Sequence, residues 1–251
     1  MKHFIVTPSM GKRLIARALV KHEAVGAALK AGTLLIVAGT TNGYVAEELL
    51  KSIGQEEGFT RVGFRRGTVT PPHFNPAELN KAHFGGDVAI VKGQWQKGKE
   101  IFDVIDDMKA PDVVLKGGNA LDLPNRRAGV LVGHPMAGTA GALMPAVFGR
   151  RVQLIIPIGL EKRVGAHLQD IAELLNAPGA EGPRFIPLPG KAFTEIDAIS
   201  LLTGAEATLT GGGGIFGAEG SVWLTVTGTA DQLGQAQELF NSLIHEGPCE
   251  A

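Results

Sequence analysis

Glycine in this chain follows short apolar, β-branched runs. Thr33-Leu-Leu-Ile-Val-Ala38 ends in Gly39, and Asp87-Val-Ala-Ile-Val-Lys92 ends in Gly93. Asp112-Val-Val-Leu-Lys116 ends in Gly117-Gly118, and Gly129-Val-Leu-Val-Gly133 ends in His134-Pro-Met-Ala-Gly138. An unbroken apolar run of this length reads as a strand buried on both faces, as in a parallel sheet. Glycine makes up 35 of the 251 residues, about twice the usual share of roughly 7%. It is spread neither as a repeat nor as linkers. In open α/β sheets ligands bind beyond the carboxyl ends of the strands, which is where these glycines stand.

Between the runs the spacing is helical. Leu14, Ile15, Ala18, Leu19, Val25, Ala28 and Leu29 predict one amphipathic helix over 12–30. Helices are also expected over 44–53, 100–108, 139–148 (with Thr139 as its cap) and 167–176, and strands over 60–70 (broken by Pro71-Pro72) and 152–158. The expected fold is α/β: a mostly parallel sheet with helices on both faces over 1–180. Pro178 to Pro183 marks a boundary. Strands at 184–188, 205–209 and 221–227 and helices at 195–202 and 230–245 predict a small C-terminal α+β, ferredoxin-like module over 184–247.

The chain balances 24 Lys and Arg against 25 Asp and Glu, a formal charge of -1. That balance argues against a nucleic-acid partner, which calls for a basic excess or stripe. The short basic stretch Arg61, Arg65 and Arg66 reads as a solvated edge. No uncharged apolar run reaches membrane-spanning length, so no membrane partner is expected. The single cysteine, Cys249, leaves no disulfide framework, in keeping with a cytoplasmic location. The seven histidines show no metal-ligand spacing, and no metal or cofactor is expected.

The residues that can carry chemistry follow the strands. Gly39, Thr40, Thr41, Asn42 and Gly43 join a strand to a helix. Backbone N–H groups, two hydroxyls and the positive end of the helix dipole suit a phosphate or carboxylate. Lys116, with Gly117, Gly118 and Asn119, puts an ammonium at a strand end where it can neutralise an anion. Asp103 and Asp106 stand at helical spacing as a possible carboxylate pair, and Asp122 follows the Lys116 loop as another candidate base. His134 lies in a glycine-bounded loop before a helix and is a further candidate acid or base.

Ala38-Gly39-Thr40-Thr41-Asn42-Gly43, Asp103-Val104-Ile105-Asp106-Asp107 and Lys116-Gly117-Gly118-Asn119-Ala120-Leu121 together resemble motifs of the ribose-5-phosphate isomerase branch of the sugar-phosphate isomerase and CoA-transferase superfamily. The resemblance spans about the first 160 residues. It implies that Thr40 and Thr41 grip phosphate and that Asp103, Asp106 and Lys116 surround the reacting carbons of a sugar phosphate. The family's catalytic glutamate has no counterpart here; Asp122-Leu-Pro-Asn125-Arg126-Arg127 stands in its region.

Three functions remain open at this point. One is an isomerase-like enzyme acting on a phosphorylated sugar. The second is a non-catalytic binding or regulatory protein for a small anionic metabolite. The third is a CoA-transferase-like acyl enzyme using Glu219. A homo-oligomer is expected in each case.

Overall fold

The computed structural model describes residues 1–67, 69, 73 and 85–249. In chain order the elements are β1 (Lys2–Val6), α1 (Pro8–Lys21), α2 (Glu23–Ala31), β2 (Thr33–Ile36), α3 (Thr40–Ser52), β3 (Val88–Val91), β4 (Gln94–Trp95), α4 (Ile101–Val104), β5 (Val113–Leu115), β6 (Ala120–Asp122), β7 (Arg127–Val132) and α5 (Gly138–Met144). There follow β8 (Gln153–Pro157), α6 (Leu168–Leu175), β9 (Arg184–Pro187), β10 (Lys191–Phe193), α7 (Glu195–Thr203), β11 (Glu206–Gly212), β12 (Val222–Thr227) and α8 (Ala230–Asn241). The protein is mixed α/β.

The central sheet has six strands in the order β10-β8-β5-β2-β3-β4. β10, β8, β5 and β2 run parallel, and β3 and β4 continue the sheet antiparallel. Leu34, Leu35, Ile36, Val113, Val114, Leu115 and Ile156 are fully buried, as continuous apolar strands require. α1 packs against both α3 and α7. The carboxyl ends of the four parallel strands therefore lie along one edge of the sheet. They lead into residues 37–39, 116–118, 158–160 and 194–195.

Several local expectations are revised. The expected helix over 12–30 is two helices. His22 takes extended backbone (φ -70°, ψ 126°) and sets its ring edge-on to Phe193. Residues 60–67 form turns and bends rather than a strand, and Pro71-Pro72 lies outside the described residues. The helix expected over 100–108 is a single turn, Ile101–Val104. α5 starts after Ala137 without a side-chain cap from Thr139, and a π-helical turn at Pro145–Gly149 follows it.

The strands after residue 184 form no sheet of their own. β9 pairs with β7, β10 pairs with β8, and β11 pairs with β12, which pairs in turn with β1 from the other end of the chain. The basic stretch is not a solvated edge either. The Arg61 guanidinium lies 4.4 Å from the centre of the Tyr44 ring and pairs with Glu47, and Arg66 pairs with Asp87 and Glu100. Among the described residues no helix is long and apolar enough to cross a membrane.

Candidate functional site

The loop after β2 is fastened to the end of β5. Val37 N–H donates to the Leu115 carbonyl at 2.9 Å. The Asn42 amide donates to the carbonyls of Val37 (2.7 Å) and Leu115 (3.0 Å). These bonds hold the first turn of α3 against the root of Lys116. Gly39 precedes that helix in extended backbone and supplies no side-chain cap, so first-turn N–H groups stay free of one. A Cβ built on Gly39 meets nothing within 4 Å, and one on Gly117 meets nothing nearer than 3.9 Å. Both loops border open space. Gly43 has a packing reason instead: its Cβ would lie 3.1 Å from Arg61 Cβ.

Three polar groups here lack partners among the described residues. Thr41 Oγ1 and Asn42 Oδ1 are buried and accept or donate nothing. Lys116 is 8% exposed, and no hydrogen bond or ion pair of its ammonium occurs among the described residues. Burial pushes its pKa down to about 8, against the raising pull of Asp87 and with the lowering push of Arg66.

Asp87, just before β3, is itself saturated. Its Oδ1 accepts from Ala38 N–H (2.9 Å) and Arg66 Nε (2.9 Å), and its Oδ2 from Arg66 Nη2 (2.6 Å) and Ile101 N–H (2.7 Å). These four bonds use the acceptor capacity of a carboxylate, so Asp87 offers Lys116 field but no contact.

A second charged group lies at the ends of β8 and β10. Glu195 is 1% exposed and accepts from Leu160 N–H at 3.0 Å. Lys12 reaches Glu161 at 3.4 Å and the Pro8 carbonyl at 3.3 Å. Lys162 donates to the Gly118 carbonyl at 3.0 Å, tying this group to the Lys116 loop. Burial, then the Glu161 charge, pushes Glu195 up to about 8; burial lowers Lys162.

Two glycines make room for the carboxylates. A Cβ on Gly11 would lie 2.3 Å from Glu195 Oε1, and one on Gly159 would lie 1.8 Å from Glu161 Oε2. Gly11→Ala in the interior of α1 gains helix propensity of about 1 kcal/mol, yet the clash is expected to win. A net loss of about 1–2 kcal/mol is expected from urea denaturation, and adding Glu195→Ala should recover most of it. A Gly11→Ala protein more stable than the wild type would contradict this packing.

The other residues singled out in the sequence hold local structure. Asp103 accepts from Glu100 N–H at 2.8 Å and caps α4. Asp106 is exposed, 4.0 Å from Arg150. Asp122 accepts from Asn125 N–H (3.2 Å) and its side-chain amide (2.8 Å) in the β6–β7 turn. Asn119 Oδ1 accepts from Leu131 N–H at 3.0 Å. His134 is exposed and its Nδ1 accepts from Met136 N–H at 3.1 Å. Glu219 is exposed in the β11–β12 connection. The structure thus brings together residues 39–43 and 116–118, and none of the hydrogen bonds of Asp103, Asp122 or His134 reaches them.

Sequence reasoning missed Glu161, Glu195, Lys12 and Asp87. The available signal was position: Glu161 and Glu195 each follow an apolar strand by a few residues, as Lys116 does. Two surface grooves border β10, of about 220 Å³ and about 570 Å³, and neither is lined by Lys116 or Thr41. Among the described residues no group of three or more His, Cys, Asp or Glu could hold a metal ion. Comparison of the chain with protein-family models, with curated proteins and with solved structures finds no match.

Proposed function

We propose that the protein binds a small phosphorylated metabolite of the sugar-phosphate kind. The anion would sit at the amino end of α3, with Lys116 beside the ligand's reacting carbons. The observation that carries this reading is the buried Lys116 side chain at the end of a parallel strand, whose ammonium has no partner among the described residues. A buried cation without a partner costs several kcal/mol, and an anionic ligand is what would offset it. The uncapped first turn of α3 and the orphaned Thr41 hydroxyl support the same reading. A scaffold of the sugar-phosphate isomerase and CoA-transferase kind is the finer fold proposal, resting on the motif resemblance.

Isomerase-type proton transfer is a second reading, favoured by one observation. Glu161 and Glu195 share a buried site whose electrostatics keep Glu195 protonated at neutral pH. Pairs of carboxyl groups with separated pKa values serve as acid and base.

Thermal denaturation with sugar phosphates, CoA esters, nucleotides and inorganic phosphate tests the binding. At a hundredfold excess over Kd a ligand of the native state adds about 2.7 kcal/mol, raising Tm by roughly 5–10 °C in a chain of this size. The rise should occur with a phosphorylated compound and vanish in Lys116→Ala. No shift with any of them would sink the reading.

A further inference from the structure

We propose that Lys116 is a nucleophilic amine that condenses with the carbonyl carbon of a phosphorylated aldehyde or ketone held between residues 39–43 and 116–118. The inference rests on the anion site proposed above and goes beyond it, from binding to covalent chemistry. Lys116 stands at the carboxyl end of β5 and is 8% exposed. It has no hydrogen bond or ion pair among the described residues. Asp87, the carboxylate whose charge acts on it, is occupied by four bonds from Ala38, Arg66 and Ile101.

Arg66, held in place by Asp87 and Glu100 at 2.6 and 2.8 Å, is a second cation acting on the same group. A lysine desolvated beside another cation, with no anion among the described residues free to pair it, is the arrangement that raises the share of neutral, nucleophilic amine. A Cβ at Gly39 would meet nothing within 4 Å and one at Gly117 nothing nearer than 3.9 Å, so neither glycine is covered closely by packing.

The step balances without an added reagent. The nitrogen lone pair attacks the carbonyl carbon, forming a C–N bond while the C–O π bond opens to a hydroxyl. The carbinolamine then loses that oxygen as water, with the amine's two protons, to leave a C=N bond. The lowered pKa of Lys116 fits this role. At pH 7 an amine titrating at about 8 is neutral about three hundred times as often as one at 10.5. Its lower basicity takes back part of that gain, leaving a net advantage of about twentyfold.

The experiment uses the full chain with glyceraldehyde 3-phosphate, trapped by borohydride and mapped by peptide mass, with the exposed Lys30 and Lys51 as internal references. Lys116 is expected to be modified about twentyfold faster than either at pH 7. Its rate should level off above about pH 8. Inorganic phosphate should suppress the reaction, and glyceraldehyde without the phosphate should label Lys116 more slowly.

Lys116→Arg keeps the cation, so it should keep a thermal response to phosphate and lose the adduct. Labelling of Lys116 no faster than Lys30 and Lys51, in a protein that phosphate still stabilises, would overturn the amine chemistry and leave the anion site standing. Absence of both the adduct and the phosphate response would overturn the two together.

Discussion

Asp87→Ala is expected to cost about 3–5 kcal/mol in chemical denaturation. The side chain is fully buried and its two oxygens collect four donors from three segments. Ala38 N–H belongs to the loop before α3, Arg66 to the segment after α3, and Ile101 N–H to the start of α4. Alanine strands both backbone donors and removes the bidentate partner of a guanidinium, and buried donors left unpaired cost about 1–3 kcal/mol each.

The effect should exceed that of Glu100→Ala, because Glu100 is more exposed and makes one of the Arg66 contacts. A loss below about 1 kcal/mol would mean that Asp87 does not tie the site together. The same substitution withdraws the negative charge that raises Lys116. The amine should then titrate at still lower pH, which the labelling profile would read.

Lys116→Met is expected to stabilise the protein by about 3 kcal/mol at neutral pH while abolishing the response to phosphate. The folded pKa of Lys116 is about 8 against 10.5 for an ordinary lysine. Below pH 8 the lysine is protonated in both states and the full cost of burying the charge is present. Between 8 and 10.5 the unfolded chain binds a proton that the native state does not, so wild-type stability rises with pH. The gap between wild type and Lys116→Met should therefore close across that window.

Glu195 acts with the opposite sign between 4.5 and 8, where the native state holds a proton that the unfolded chain releases. The difference between the two proteins at each pH isolates Lys116. A methionine variant less stable than wild type at pH 7 would show that the ammonium is compensated. A stabilised variant without ligand response is the pattern of a residue kept for binding at the expense of the fold.

The parallel core was legible because β2, β5 and β8 are continuous apolar runs closed by glycine, and Lys116 was legible because it ends one of them. The first turn of α3 was visible for the same reason. What escaped the sequence depends on tertiary context. β1 is too short and mixed in Lys2-His-Phe-Ile-Val6 to stand out, and its partner is more than two hundred residues away. The break at His22 has no glycine or proline to announce it.

Asp103 and Asp106 have helical spacing, but α4 is one turn long, and its Asp103 satisfies the helix's own N-terminus. Asp87 looked like the first residue of a strand. Nothing local in the sequence reveals that one carboxylate gathers donors 21 and 49 residues earlier and 14 residues later.

The pairing of β1 with β12 bears on how the chain is made. Residues 2–6 align with residues 222–226, so β1 has no partner until about 220 further residues have been synthesised. At about 5–20 residues per second the wait is roughly ten to forty seconds. During it, Phe4 and Val6, which end up against the core, remain in water. The parallel strands β2 and β5 can meet much earlier. Synthesis thus favours an order in which the edge that carries the candidate site is assembled before the antiparallel sheet of β1, β12 and β11 closes.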